Sequence, residues 1–307
     1  MTASALATNG FTSAPASESK PASDVRLYKN RASYALPAAL SIFHENPVAH
    51  IAFIHPGDGP SGSGHGNGTA NTSGRGETIM NVPLITVVMC AGEDEDDIND
   101  YSVYLHTHRH SGLVEAVLSG THGITATTTK IDGMIFSPTA HDHTLNYRSA
   151  TLHLSEGYVL DDEIGSEEHE EKRRALACVT NTVTNYDRIS VVGVPDDAAV
   201  KRTTVIRFKI RDISCKQRYG AFNGTQEPEL SCPPGKGKEG DAFTGVIPCW
   251  TQWGEPLGYG KDVDDIKGLT KRKNEDNREF AEKAAWANEE VAMEGLGKKR
   301  KPTPTVH

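Results

Sequence analysis

The sequence predicts a mainly β chain of the α+β kind, a closed or split antiparallel barrel with helices packed outside it. Three observations lead there. Stretches of strand character follow one another without the strand-helix alternation of a parallel sheet. Two apolar runs, 48–55 and 80–90, flank a loop like the arms of a hairpin. Helical patterns are few and sit between strands as covers.

The elements follow in chain order. Residues 1–24 are Ala, Ser, Thr and Pro with hardly a large apolar side chain, too poor in burial to repay the entropy of ordering, so residues 1–25 are expected to be a disordered tail. A mitochondrial transit peptide would be rich in Arg, whereas the first Arg is Arg26. Pattern begins near Tyr28 and Ser33, where Tyr34, Leu36, Leu40 and Phe43 make a helical stripe that Asn46-Pro47 stops. VAHIAFIH (48–55) reads as a buried strand and MNVPLITVVMC (80–90) as its partner. Between them, residues 57–77 hold eight glycines in 21 positions, and an insertion over 57–78 enlarges the loop cheaply because closure entropy grows slowly with length.

The acidic run GEDEDDIND (92–100) reads as a solvated turn before another strand, YSVYLHTH. SGLVEAVLSG (111–120) has Ser111 at an N-cap and predicts a short helix. Residues 121–131 and 146–160 return to strand character. SEEHEEKRRALACVTNTV (166–183) is an amphipathic helix, acidic at its start as the helix dipole prefers. In 203–214, Ile206, Phe208 and Ile210 alternate with Arg207, Lys209 and Arg211, a half-buried strand. The folded domain is expected over 26–262. Residues 263–307 look like a charged helical tail ending in KKRKP, a cluster that more often serves solubility than nuclear address.

Lys and Arg number 32 against 41 Asp and Glu, a formal charge of −9. No global basic field draws the chain to nucleic acid or acidic lipid, so any anion must be held locally. No run of about 18 apolar residues suggests a membrane span, and the expectation is a soluble, cytoplasmic protein. Five cysteines without a C-x-x-C pair argue against a disulfide framework or zinc ribbon.

VYLHTHRHSG (103–112) places His106, His108 and His110 at alternate positions, on one face if the strand continues through them. They suit a metal site, with His141-Asp142-His143 as a source of further ligands. They equally suit an exposed polar face. A third reading takes the turn of Arg109, His110 and Ser111 into a helix, where free N–H groups, a hydroxyl and a guanidinium make an anion corner.

The order PLITVVM, VYLHTHRHS, KIDGMIFSPTAHDHTLNYRSATL, TNTVTNYDRI, TTVIRFKIRDISCKQRYG and FTGVIPCWTQWGEPLG resembles the pyridoxamine 5′-phosphate oxidase-like FMN-binding split barrels. Within them it resembles the branch of nitroimidazole-resistance proteins and fungal flavin-nucleotide-binding proteins. The likeness covers roughly 26–262. Its most specific parts are Asp132, Gly133, His143, Asn146, Tyr147, Arg148 and Ser149, with Ser214, Lys216 and Arg218 on a later strand.

The resemblance implies a six-stranded split barrel that forms a homodimer with FMN at the subunit interface. It places Pro83, Leu84 and Ile85 along the isoalloxazine ring, and His106, Arg109, His110 and Ser111 at the phosphate. Many relatives carry Arg or Lys after that Ser; here the position is Gly112, so Arg109 or Arg148 would have to supply the cation. Asn146 and Ser149 are candidate ring or ribityl donors, and His108 and His143 candidate proton carriers toward substrate. Trp250 and Trp253 are expected in the core. The implied function is an FMN-dependent oxidoreductase for a small organic molecule, in specialised metabolism or detoxification. A flavin carrier without turnover, or a metal- or haem-binding barrel using His106, His108 and His110, is the alternative.

Overall fold

Apolar residues at every second position give each long strand one buried face, and the sheet hides those faces by closing on itself. The computed structural model describes residues 21, 23–57, 77–92, 94, 95, 97–120, 123–222 and 242–299. Its strands are β1 (Ala32–Ser33), β2 (Val48–His55), β3 (Thr78–Cys90), β4 (Tyr101–Thr107), β5 (Ile124–Phe136), β6 (Thr144–Val159), β7 (Thr204–Arg218) and β8 (Gly245–Pro248). β2 pairs with β3 and β5, β3 with β4, β4 with β7, β7 with β6, and β6 with β5, all antiparallel. The six long strands therefore make a ring. The short β1 and β8 add to β7 and β5.

Inside lie Ile51, Phe53, Val103, Leu105, Ala126, Leu152, Leu154, Ile206 and Phe208. Helix α1 (Leu36–Glu45) buries Leu36, Ala39, Ile42 and Phe43 where β2 begins. Helix α2 (Gly112–Leu118) buries Leu113, Val114 and Ala116 where β2 ends. Each helix thus plugs one end of the barrel. Ser111 caps α2, its hydroxyl accepting from Val114 N at 3.4 Å, as the sequence leads one to expect.

Between β6 and β7 the chain forms α3 (Glu167–Thr184), α4 (Ile189–Val192) and α5 (Asp197–Arg202). Ala175 and Leu176 of α3 cover Met89, Tyr104 and Val205 on the outer face of the sheet.

Several expectations change. VAHIAFIH is half exposed: Ala49, Ile51 and Phe53 point inward, but Val48 and His50 face out. The expected insertion at 57–78 falls almost wholly outside the described residues, although His55 pairs with Thr78 across it. Of the expected N-terminal tail, residues 1–20 and 22 also lie outside them. Ser23 is nonetheless buried and its hydroxyl donates to the Asp212 carboxylate.

The largest correction concerns residues beyond 262. Helix α6 (Val263–Ala285) buries Ala281, Ala284 and Ala285, and beyond it Val291 and Met293 are buried too. Met293 belongs to the main core. This segment is part of the domain, because small residues at helical spacing let the helix backbone lie close to the barrel. The KKRKP cluster lies outside the described residues except for its first two lysines. Trp253 is also not in the core: it is 50% exposed, with its backbone held by Asn274 of α6 and Lys273 over its ring at 4.9 Å.

Candidate functional site

The outer face of β2, β3 and β5 carries several exposed side chains. Register places His50 of β2 beside Pro83 of β3 and Thr127 of β5, and Val48 beside Ile85. Val48 is 45% exposed and Ile79 78%, and Pro83 is exposed as well. Asn46, Val48, His50, Ala52, Asn81, Thr127 and Thr129 line a groove of about 660 Å³ on this face. Its apolar lining is Val48 and Ala52, set among hydroxyls, amides and an imidazole.

Proline at 83 and isoleucine at 85 fall on this outer face by strand alternation, and Leu84 falls on the other, packed against the inner core. The expectation that all three line a ring is corrected accordingly. One step past the paired Thr86 and Leu105, Ile85 stands opposite His106. The His106 Nδ1 is buried with no hydrogen-bond partner among the described residues. Burial holds the His106 pKa below its ordinary value, so the imidazole is neutral near pH 7. An orphaned buried nitrogen costs free energy, and this one borders the open apolar face.

Strand β4 stops at Thr107, so His106, His108 and His110 do not share a strand face. Residues 108–111 turn, with Ser111 N donating to His108 O at 3.0 Å. The His108 and His110 rings come within 5.3 Å at a 50° tilt, and both residues are exposed, as is Arg109. Among the described residues no three metal-ligating side chains gather, at this corner or elsewhere.

Gly112 has a local cause. A Cβ there would lie 2.9 Å from His55 Cδ2. His55 in turn bonds Glu115 of α2 at 2.9 Å. The space that a longer side chain would fill at 112 is taken by this imidazole.

Arg148 does not join the corner. It is 3% exposed at the α1 end, where Nε and Nη2 donate to both Asp132 oxygens at 3.0 Å and Nη1 and Nη2 donate to Glu45 at 2.5 and 3.1 Å. Phe280 of α6 stacks on its guanidinium at 3.6 Å. Burial raises the Glu45 pKa, but Arg148 and Lys130 outweigh it and hold the group below the usual range. For Asp132 burial prevails and the pKa is raised. The expected role of Arg148 as a phosphate cation is corrected, since its donors are spent on Asp132 and Glu45 within the chain.

Asn146, fully buried, donates to Ala284 O and accepts from Arg218, both at 3.3 Å. Its amide anchors α6 to the barrel and is not free for a ligand. Ser149 faces outward and donates to Lys216 O at 3.4 Å. His143 sits just before β6, its ring centroid 5.8 Å from that of Phe136 in an edge-on arrangement and its Nδ1 3.1 Å from Thr139 O. It and His108 lie at opposite ends of the barrel, so one chain does not bring them together. His50, which the sequence reading passed over, lies on the open face; its outward place in the alternation of VAHIAFIH was the available signal.

A flat heteroaromatic group fits this donor set, with apolar contact from Val48, Pro83 and Ile85, polar rim groups from Asn81, Thr127 and Thr129, and imidazoles at His50 and His106. No helix among the described residues is long and apolar enough to cross a membrane. No family model matches the chain and no curated protein matches its sequence. Among solved structures, the flavocytochrome Anf3 from Azotobacter vinelandii aligns with a TM-score of 0.52 at 19% identity, over 79% of this chain and 95% of that one. A FAD and heme binding protein from Mycobacterium smegmatis aligns with a TM-score of 0.47 at 18% identity, over 75% and 90%. At these identities the likeness is one of architecture. The chain thus shares the fold of flavocytochrome Anf3, with its six long strands joined into an antiparallel split barrel.

Proposed function

We propose that this chain binds FMN on the outer face of β2, β3 and β5 and acts as an FMN-dependent oxidoreductase on a small organic molecule. The observation that carries the reading is the groove lined by Val48, Ala52 and hydrogen-bonding side chains, with Pro83 and Ile85 in register beside His50 and Val48 on the same face. A bound flavin supplies hydride transfer, which no side chain can perform. The chain's own residues do the rest. Pro83 and Ile85 offer flat contact, Thr127, Thr129 and Asn81 offer donors and acceptors at the rim, and the neutral His106 offers an imidazole able to hold or give a proton. His50 takes the place that the sequence reading gave to His143, and His108 stands at the corner.

At the phosphate the proposal keeps Arg109, His110 and Ser111, with Arg109 the cation in place of the residue lost at Gly112. Exposed Val48, Ile79 and Pro83 on one face support a homodimer that covers it with a second copy and encloses the FMN. A substrate with a reducible nitro, imine or enone group suits hydride chemistry at a groove of this size.

The test is FMN titration followed by flavin fluorescence and the visible spectrum. Val48→Asp with Pro83→Asp is expected to weaken binding at least tenfold, about 1.4 kcal/mol, while thermal stability changes little because both positions are exposed. Arg109→Ala with Ser111→Ala should weaken it by a similar factor. Undiminished affinity in the strand pair would overturn the placement of the ring, and in the corner pair that of the phosphate. Dithionite reduction followed by reoxidation with nitro and enone acceptors separates turnover from mere carriage.

A further inference from the structure

Among the described residues, the buried cations Arg148 and Lys172 are paired with carboxylates and Arg218 is not. Arg148 meets Asp132 and Glu45, and Lys172, 1% exposed, meets Asp162. Among the described residues Arg218, 7% exposed at the end of β7, meets neutral oxygens: Asn146 Oδ1 and Ala221 O at 3.3 Å and Phe222 O at 3.5 Å. Burial first, and then the like charge of Arg31 nearby, push its pKa below the ordinary value. A desolvated charge without a counter-charge is costly.

Two further cations stand beside it. The Arg31 guanidinium lies 4.4 Å from the centroid of the Tyr28 ring, and Lys216 Nζ lies 5.5 Å from the same centroid. Among the described residues none of Arg31, Lys216 and Arg218 has a carboxylate within ion-pair distance. Tyr28 itself is held at φ 54° and ψ 55°, a left-handed conformation that a bulky residue adopts only under constraint. Strand register puts Ser149 beside Lys216 and Tyr147 beside Arg218. Three cations and two hydroxyl side chains are thus gathered in a chain whose net charge is −9.

We infer that Arg31, Lys216 and Arg218, with Tyr28 beside them, form a binding site for a phosphate group, separate from the β4–α2 corner. On β7 the corner adjoins Thr204, which pairs with Thr107 of β4, whereas Lys216 lies near the other end of the strand, twelve residue steps or about 40 Å along it. A phosphate suits the cluster because its several oxygens can meet a guanidinium and an ammonium at once. The ring of Tyr28, 60% exposed, offers a surface beside it for the organic part of a phosphate ester. This inference does not depend on the flavin reading.

The test measures binding of inorganic phosphate and of phenyl phosphate to the full chain by calorimetry, with and without saturating FMN. Lys216→Gln with Arg31→Gln, both half-buried and without a carboxylate partner among the described residues, is expected to weaken phosphate binding about tenfold or more and leave the melting temperature nearly unchanged. Arg218→Lys is a second variant that keeps the buried charge and loses the planar fork, and it too should bind phosphate more weakly. Tighter binding of phenyl phosphate than of inorganic phosphate assigns the site to an ester. Unchanged phosphate affinity in the double variant overturns the site, and competition between FMN and phosphate overturns its separateness from the flavin. A flavin titration that fails while phosphate still binds refutes the FMN reading and leaves this site standing.

Discussion

Replacing Arg148 with Met removes the one cation that touches both Asp132 oxygens, and its cost can be worked from burial. The Asp132 side chain is 3% exposed and that of Glu45 33%, and Glu45 keeps Lys130 at 2.6 Å. The penalty therefore falls on Asp132. A carboxylate stranded in the interior escapes most of its desolvation by taking a proton, so its cost at a given pH is capped by the cost of protonation. From an unfolded pKa near 3.9, protonation at pH 7 costs about 4 kcal/mol, and at pH 5 about 1.5 kcal/mol. Loss of the guanidinium over Phe280 adds on the order of 1 kcal/mol at either pH.

The expected deficit of the variant is thus about 3–5 kcal/mol at pH 7, the range found when one partner of a buried pair is removed. It should shrink by about 2.5 kcal/mol at pH 5. The sign follows from proton binding: with Asp132 raised in the folded state, the folded form binds more protons than the unfolded one, and stability rises as pH falls through that window. Urea denaturation at both pH values, read by circular dichroism, measures it. A deficit under 1 kcal/mol at pH 7, or one equal at the two pH values, would refute the account of Asp132 as the group left unpaired. Adding Asp132→Asn to the variant should recover part of the loss at pH 7 and little at pH 5.

Two further outcomes are expected. Gly112→Ala puts a Cβ against the His55 ring and should cost about 1–2 kcal/mol; in a double-mutant cycle with His55→Ala the two losses should fall short of their sum, and strict additivity would sink the steric account. Ending the chain at 262 removes Phe280, Ala281, Ala284 and Met293 together, so the truncated chain is expected to be largely unfolded or aggregated by circular dichroism and gel filtration; a cooperative melt close to that of the full chain would restore residue 262 as a boundary.

What the sequence disclosed and what it hid divide along the range of the interactions. Ser111 is legible as a cap because the bond it makes lies within three residues. The inner row of β7, Ile206, Phe208 and Ile210, is legible because strand alternation is local. By contrast, the Arg148 partners lie 16 and 103 residues away, and nothing near NYRS indicates them. Helix α6 looked like a charged tail because its buried stripe is alanine, which adds little hydrophobicity and whose small size allows close approach. The His106 series misled in a simple way: alternation predicts a shared face only while the strand lasts, and the cap at Ser111 needs a turn that ends β4 at Thr107.

The NYRS motif shows why a family signature need not be one site. Its four residues alternate across β6: Asn146 and Arg148 turn to the inside of the barrel, and Tyr147 and Ser149 to the outside. The inner pair carries tertiary bonds, Asn146 to Ala284 and Arg218, and Arg148 to Asp132 and Glu45. The outer pair lies in register with Arg218 and Lys216 of the S-x-K-x-R strand. A substitution in the inner pair therefore acts first on stability, because it strands a buried amide or carboxylate. One in the outer pair acts first on whatever anion these cations hold. The same four letters couple the seating of α6 to the basic cluster through Arg218, which bonds Asn146 on one side and lies beside Arg31 on the other. Loss of α6 packing should for that reason loosen phosphate binding even where Arg31 and Lys216 are untouched.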